Sequence, residues 1–273
     1  MRKSQYPSRK NFKAGIKEGK SQSFGLFLNS SSPQIAEQLA ADCSLFDWLL
    51  VDAQHSPVGT NLMQSMLTSL NAHSCPSLVR VGGPDDRIGI QQALDLGAYG
   101  VMIPTVRTPG DAQKAVLATF FPPLGSRSIA FPISPQLGRP VAEFLESAND
   151  ETLLILQIET KESMDHLEEI VNMEGVDAVF IGPFDLSYAL ALFDKYGYPG
   201  GLASHELRDA SQRVAKECKK ANVAAGSFAA GVDGAAVLVK EGFTLLAAGT
   251  DVGLLGTAAK VEAERLRGLR TNG

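Results

Sequence analysis

Between Ser23 and Arg270, short apolar runs alternate eight times with amphipathic stretches, and this alternation limits the possible folds more than any other feature. The first run is SFGLFL (23–28) and the last is TLLAAGTDVG (244–253). Near-continuous apolar runs are typical of strands that are covered on both faces. Eight strand–helix units in about 250 residues predict a single α/β domain over 22–273, a (β/α)8 TIM barrel. A doubly wound sheet is the alternative, but no GxGxxG follows the first predicted strand.

Composition and charge exclude several classes of protein. The chain has 273 residues and a formal net charge of −5 at pH 7, so we expect no surface for nucleic acid or for an anionic membrane. No apolar run approaches the ~20 residues that span a bilayer. Cys43, Cys75 and Cys218 lie far apart and form no CxxC pair, which favours reduced thiols in a cytoplasmic protein.

Two segments depart from the alternation. Residues 1–21 are basic and lack the apolar core of a secretory signal, so a flexible N-terminal arm is expected; their Arg, Lys and Ser content leaves an organellar transit peptide as the alternative. Residues 120–140 are rich in Pro, Gly and Ser. They predict a long loop between the fourth and fifth units, which we place over 120–150.

Polar side chains collect where the predicted strands end, and in a barrel these ends share one mouth. In LLVDAQHSP (49–57), an apolar run stops at an acid, an amide and an imidazole. Gly182 and Pro183 precede a helix expected to begin at Leu186, whose N–H groups could receive a carboxylate; an ordinary turn is the alternative. The strand-end candidates for the site are Asp52, His55, Arg80, Gln157, Glu159, Gly182, Pro183 and Asp185.

Glu159 and Asp185 are the candidate metal ligands. Two carboxylates at neighbouring strand ends repel each other in a dry site, and a divalent cation removes that repulsion. Two carboxylates completed by water and substrate oxygens suit Mg²⁺ or Mn²⁺. The alternative is that one carboxylate pairs with Arg80 while the other meets solvent.

His55 and Arg80 are candidates for proton transfer and for anion binding. His55 is the histidine, among four, that directly follows a predicted strand, and imidazole titrates near neutral pH. A structural histidine bonded to its own loop is the alternative. Arg80 interrupts an apolar strand, and a buried guanidinium needs an anion. That anion is either Asp52 or Glu159, or else a carboxylate or enolate oxygen of a substrate.

Six segments, in their order and spacing, resemble a known family. They are VDAQHSP, LVRV, ALDLGAYGVMIPTV, FPPLGSRS, LQIET and IGPFDLS. The chain is similar to the HpcH/HpaI aldolases over about residues 22–265, nearly the whole predicted barrel. The resemblance implies a class II, pyruvate-specific aldolase that needs a divalent metal (Mg²⁺, Mn²⁺ or Co²⁺). It also implies a homohexamer, often with the last helix exchanged between subunits.

The resemblance assigns roles to individual positions. Glu159 and Asp185 fall where the family binds its metal. His55 falls on the catalytic base, and Arg80 on the arginine that holds the pyruvyl oxygen. Asp52 matches an acid near that histidine.

Four further positions follow from the same resemblance. Gln157 matches a glutamine lining the site, and Gly182 and Pro183 match the turn whose backbone meets the pyruvate carboxylate. Asp95 matches an aspartate that a neighbouring subunit offers to the histidine. The resemblance thus predicts a site completed between subunits.

Three positions depart from the family pattern. Gln54 replaces a glutamate, which removes a charge near the metal. Residues 120–123 read Phe-Phe-Pro-Pro where an Arg-Tyr pair usually precedes the prolines, and Phe184 replaces a small residue. The two aromatic changes predict an altered aldehyde pocket.

The expected reaction is the reversible cleavage of a 4-hydroxy-2-oxo acid to pyruvate and an aldehyde through a pyruvate enolate. Oxaloacetate decarboxylation and macrophomate synthase-like C–C bond formation use the same enolate and stay open as main activities. Further alternatives are a CoA-thioester lyase, for which no basic patch is evident, and a non-catalytic barrel. Gln54 favours the latter, whereas four costly polar groups at one mouth argue against it.

Overall fold

The computed structural model describes residues 8–19, 21–42, 45–130, 140–229 and 231–269. Eight parallel strands pair in sequence order and close into a barrel, because β1 pairs with both β2 and β8. The strands are Ser23–Leu28 (β1), Trp48–Asp52 (β2), Ser77–Arg80 (β3), Gly100–Ile103 (β4), Leu153–Ile158 (β5), Ala178–Ile181 (β6), Ala224–Phe228 (β7) and Leu245–Thr250 (β8). The predicted (β/α)8 barrel is confirmed.

Helices surround the barrel. They are Arg9–Glu18 (α1), Pro33–Ala40 (α2), Thr60–Ala72 (α3), Arg87–Asp95 (α4), Pro109–Thr119 (α5), Val141–Glu151 (α6), Lys161–Asp165 (α7), Leu167–Val171 (α8), Pro183–Ala189 (α9), Leu192–Tyr196 (α10), His205–Ala221 (α11), Gly231–Lys240 (α12) and Asp251–Arg267 (α13), with a 3₁₀ turn at Gly200–Ala203. Their layer covers the outer face of the strands, which explains why the strands are apolar on both faces.

The two faces of each strand pack into two separate cores. Alternate residues such as Leu49 and Val51 contact the helices, whereas Trp48 and Leu50 fill the barrel interior. Gly25 makes room for the Trp48 ring, because a Cβ at residue 25 would lie 2.0 Å from it. This two-residue period also decides which strand-end side chains face the mouth.

Part of the segment expected to be a flexible arm is instead a helix. Helix α1 starts at the cap residue Ser8 and buries Phe12 and Ile16, which are four residues apart, against the barrel interior. Lys13 donates to the Thr152 carbonyl at 2.7 Å and forms an ion pair with the buried Asp177 at 3.1 Å. The expectation was wrong for residues 9–18, because two apolar side chains at helical spacing close the amino-terminal end of the barrel.

The predicted loop over 120–150 is also shorter than expected. Helix α6 occupies 141–151, and residues 131–139 lie outside the described part of the chain. Asn149 on α6 accepts from the Phe121 amide and donates to the Phe121 carbonyl, both at 2.9 Å. Phe144 packs edge-on against the Phe121 ring. These contacts hold α6 on the segment that follows α5.

The last helix, α13, buries almost none of its side chains. Asp251 is the only buried residue of α13, while Leu255 and Leu266 are 62% and 57% exposed. A long helix in a packed domain normally buries an apolar stripe. No helix in the described ranges has the length and apolar character needed to cross a bilayer.

Candidate active site

The carboxyl-terminal ends of the strands enclose a pocket of about 240 Å³, here called the mouth pocket. Side chains alternate between the two faces of each strand, and Asp52, Arg80 and Gln157 each lie two residues after a position in the barrel interior. Their side chains therefore point to the inside of the barrel. The lining combines polar and aromatic residues. The polar part includes His55, Arg80, Gln157 and Asp185 together with Gly182, and the aromatic part consists of Phe27, Phe180, Phe184 and Phe228.

Asp52 and Arg80 form a two-point ion pair across neighbouring strands β2 and β3. Arg80 Nε donates to Asp52 Oδ1 at 2.9 Å and Nη2 to Oδ2 at 2.7 Å. The third nitrogen, Nη1, makes no hydrogen bond with any described residue. The guanidinium therefore keeps one donor for an oxygen in the mouth pocket, which it lines. Of the partners considered from sequence, Asp52 is the one it binds.

Asp52 also organises the loop that carries His55. Asn29 Nδ2 donates to Asp52 Oδ2 at 2.6 Å, and the backbone N–H groups of Gln54 and His55 donate to Oδ1. Burial favours the neutral acid, but the Arg80 hydrogen bonds and charge, with these N–H groups, hold the pKa of Asp52 below its usual range. Asp52 therefore stays a carboxylate at neutral pH and positions the His55 backbone.

The His55 side chain is exposed at the mouth pocket. Its ring forms no hydrogen bond with any residue in the described part of the chain, so the loop-bonded structural histidine considered above is not observed. An imidazole that is free of internal partners can exchange protons with a bound molecule.

Glu159 is fixed by one backbone donor and one side-chain donor. The Thr105 amide donates to Oε1 at 2.7 Å, and Gln157 Nε2 donates to Oε2 at 3.1 Å. Thr105 adopts a left-handed backbone with φ of 54°, which is strained for a residue with a Cβ. The sequence places Thr105 at a strand end, but its role as a donor to Glu159 was not predicted, because that role belongs to the backbone amide and not to the side chain.

The carboxylates of Glu159 and Asp185 are neighbours at the barrel mouth. Burial is the largest cause that raises the pKa of Glu159, to about 7, and the Asp185 charge adds to it. Asp185 is exposed, and no hydrogen bond from a described residue holds its carboxylate. Gly182 allows its own backbone to lie close to the Glu159 carboxylate, because a Cβ on residue 182 would be 2.3 Å from Oε2 of Glu159.

These residues fit a divalent cation. Both candidate ligands are carboxylates. Burial is the main cause of the raised pKa of Glu159, and a cation would offset both this burial and the added repulsion from Asp185. The Gln157 Oε1 atom is buried without a hydrogen-bond donor in the described chain, so it can accept from a water or a substrate group. The described residues contain no cluster of three or more His, Cys, Asp or Glu side chains with metal-binding geometry. Two carboxylates are nevertheless a usual set for Mg²⁺, which keeps several waters.

The structure places most of the predicted site residues together. Asp185 differs in detail, because α9 begins at Pro183 and not at Leu186, so Asp185 lies in the first helical turn and not on a strand end. Proline is favoured at a first helical position, which moves the helix start forward. Asp95 lies elsewhere, at the end of α4 near the start of β4, and pairs with Arg127 at 2.6 Å.

The barrel and its mouth define a class of enzyme fold, and comparison with known proteins identifies the family. The model of the HpcH/HpaI aldolase/citrate lyase family matches residues 23–258. The chain belongs to this family, and the resemblance drawn from sequence segments is confirmed. Because the match spans the whole barrel, every residue of the mouth pocket falls within it.

Relatives and a solved structure agree with this membership. The chain is 36% identical over 259 residues to the 4-hydroxy-2-oxo-heptane-1,7-dioate aldolase of Shigella flexneri, covering 93% of this chain and 92% of the relative. It is 34% identical over 256 residues to the hydroxypyruvate/pyruvate aldolase of Sagittula stellata, covering 94% and 93%. A crystal structure of a family member from Burkholderia cenocepacia superposes with a TM-score of 0.85 at 31% identity, covering 94% of this chain and 99% of the other.

Proposed function

We propose that this protein is a divalent-metal-dependent lyase that cleaves a 4-hydroxy-2-oxo acid to pyruvate and an aldehyde, and runs the reverse addition. The observation that carries the proposal is the pair of neighbouring carboxylates, Glu159 and Asp185, together with the Arg80 guanidinium and the Gln157 oxygen that has no donor in the described chain. Relatives at about 35% identity are named aldolases, which supports the same reaction type.

The side chains of the mouth divide the work of a retro-aldol cleavage. His55 takes the proton of the 4-hydroxyl, the C3–C4 bond breaks, and the aldehyde leaves while the electron pair moves onto the pyruvyl half as an enolate. Protonation of the enolate at C3 then gives pyruvate and restores the neutral imidazole. Arg80 Nη1 donates to the oxygen where this charge develops, and Asp52 holds the guanidinium in place. The turn at Gly182 and Pro183 meets the carboxylate of the pyruvyl half, a role taken from the family.

Glu159 and Asp185 are the residues that would hold the divalent cation, either Mg²⁺, Mn²⁺ or Co²⁺. When bound, such a cation supplies Lewis-acid stabilisation of the developing enolate. Because oxaloacetate yields the same enolate on loss of CO₂, oxaloacetate decarboxylation is the second activity we expect at this site.

We also propose a homo-oligomer, a hexamer by analogy with the family. Helix α13 is almost entirely exposed, including its apolar residues Leu255 and Leu266, and this exposure supports an exchange of the helix between subunits. Asp95 of a neighbouring subunit is then the residue proposed to orient the ring of His55, which has no hydrogen-bond partner among the described residues. The buried thiol of Cys218, which forms no disulfide with a described residue, supports the proposed cytoplasmic location.

The test follows pyruvate release by a coupled dehydrogenase assay. Full-length protein is incubated with oxaloacetate and with several 4-hydroxy-2-oxo acids, first in EDTA and then with added Mg²⁺, Mn²⁺ or Co²⁺. We expect release that returns with metal and that Glu159→Gln lowers at least tenfold. Glu168→Gln, an exposed carboxylate away from the mouth, is the matched control. No pyruvate with any metal, or full activity in Glu159→Gln, would contradict the proposal.

A further inference from the structure

A second cavity lies beside the mouth pocket, between helices α11 and α12. Its volume is about 670 Å³, within the usual range for small-molecule sites. We call it the side groove, and define it by Leu202, Leu207, Val237, Leu238 and Phe184. Nothing in the aldol chemistry described above uses it.

The side groove adjoins the mouth pocket, and three residues separate or border both cavities. Pro183, Phe184 and Phe228 line both cavities. Phe184 is 48% exposed and stacks on Tyr198, with ring centroids 6.3 Å apart and planes 28° apart. An exposed aromatic pair of this kind offers a flat apolar surface to a chain leaving the mouth.

The polarity of the mouth decides which end of a substrate points toward the groove. Arg80 ends β3, Gln157 lies in β5 and Asp185 lies in the first turn of α9, and all three line the mouth pocket. The oxo acid binds among them in the proposed function. The arc of β7 is aromatic at its end, with Phe228. The charged oxo acid suits the polar side chains, so the uncharged substituent of the aldehyde half is the part that suits the Phe184 and Phe228 rings shared with the groove.

Charge further restricts what the groove accepts. Two described residues that line the groove can carry a positive charge, and each is paired with a glutamate: Arg208 with Glu241 at 2.6 Å and His205 with Glu206 at 3.1 Å. A terminal carboxylate on the aldehyde would enter a mainly apolar space whose cationic groups already face carboxylates, which is unfavourable. A methylene chain or an aromatic ring gains from the same space.

We propose that the side groove binds the substituent of the aldehyde half, and that the preferred aldehydes are long, uncharged and apolar. The inference rests on the proposed aldolase function. It separates this chain from its Shigella flexneri relative, whose named substrate is a dioate with a second carboxylate. Phe184 and Val237 are the residues proposed to set this specificity.

The test compares aldehydes in the addition direction with metal-loaded, full-length protein and pyruvate. Linear aldehydes from propanal to octanal form one series, and semialdehydes of matched length with a terminal carboxylate form the other. We expect kcat/KM to rise roughly fourfold per methylene for the first series. Each semialdehyde should be at least tenfold poorer than its uncharged counterpart, a difference expected when a charge is desolvated.

Two substitutions on α12 test whether the dependence of kcat/KM on aldehyde chain length arises in the side groove. Val237→Asp places a carboxylate in the groove and should flatten the chain-length dependence, whereas Val232→Asp, at a position 85% exposed and outside the groove lining, should keep it. Rates are divided by the oxaloacetate decarboxylation rate of the same variant, since decarboxylation involves no aldehyde. This ratio removes any general effect of a substitution on folding or on metal content.

The outcomes separate the inference from the proposed function. A protein that decarboxylates oxaloacetate but shows flat chain-length dependence, or prefers semialdehydes, overturns the inference and leaves the aldolase proposal intact. Equal flattening in Val232→Asp and Val237→Asp also overturns it. A protein that neither decarboxylates oxaloacetate nor consumes pyruvate with any aldehyde overturns both.

Discussion

Replacing Asp52 by alanine should destabilise the fold strongly, because it leaves the buried guanidinium of Arg80 without its anion. Asp52 is fully buried and accepts five hydrogen bonds, two from Arg80, one from the Asn29 side chain and two from backbone N–H groups. Arg80 has a side chain only 12% exposed and no other anion bonded to it in the described chain. Removing one member of a buried ion pair costs about 3–5 kcal/mol. We expect a loss of about 4 kcal/mol in the free energy of unfolding.

A second substitution distinguishes charge from packing. In Asp52→Ala/Arg80→Met the stranded charge is absent, so the double variant should recover roughly 2–3 kcal/mol relative to Asp52→Ala alone. The assay is urea unfolding followed by circular dichroism, in EDTA and at one protein concentration, because metal and oligomer both shift apparent stability. Asp85→Ala, which breaks the exposed pair with Lys114, is the control and should change nothing measurable. A loss below about 1 kcal/mol in Asp52→Ala, or a double variant no more stable than it, would refute the reasoning.

Three further predictions concern Glu159, Gly182 and α1. The pKa of Glu159 rises from 4.5 to about 7 on folding because of burial and the Asp185 charge. Between these two pKa values the native protein binds more protons than the unfolded chain. The unfolding free energy of the metal-free protein should therefore fall as the pH rises from 4.5 to about 7. Urea titrations across pH should show this slope reduced in Glu159→Gln, and an unchanged slope contradicts the assignment. Gly182→Ala should displace the Glu159 carboxylate and lower metal-dependent pyruvate release at least tenfold, whereas Gly256→Ala, with nothing within 4 Å, should not; equal activity of the two variants would be inconsistent with this contact. Phe12→Ala should cost about 3–5 kcal/mol in unfolding experiments, while a result near zero would mean that α1 does not contribute to the barrel core.

The barrel was predictable from sequence because its signal is periodic and repeated. Each strand is a short apolar run and each following helix has its own spacing, so eight repeats outweigh errors at individual boundaries. The strand ends were predictable for the same reason. Asp52, Arg80 and Gln157 follow interior residues by two positions, and that period places them at one mouth.

The errors arose where tertiary contacts decide local structure. Residues 9–18 are polar overall, and only Phe12 and Ile16 gain burial when the open end of a barrel is present to receive them. Residues 141–151 become a helix that Asn149 and Phe144 hold against Phe121. A short amphipathic segment is marginal as an isolated helix, so packing determines whether it forms.

By itself, the sequence determined the fold class, the family and the set of polar residues that meet at the mouth. Tertiary structure alone decided that Arg80 pairs with Asp52, that a strained Thr105 amide holds Glu159, and that a second cavity adjoins the mouth. Periodicity is a property of consecutive residues and survives without knowledge of the fold. Pairing between charges, backbone donation across strands and cavity shape depend on residues far apart in the chain, whose separations are set only when the barrel closes.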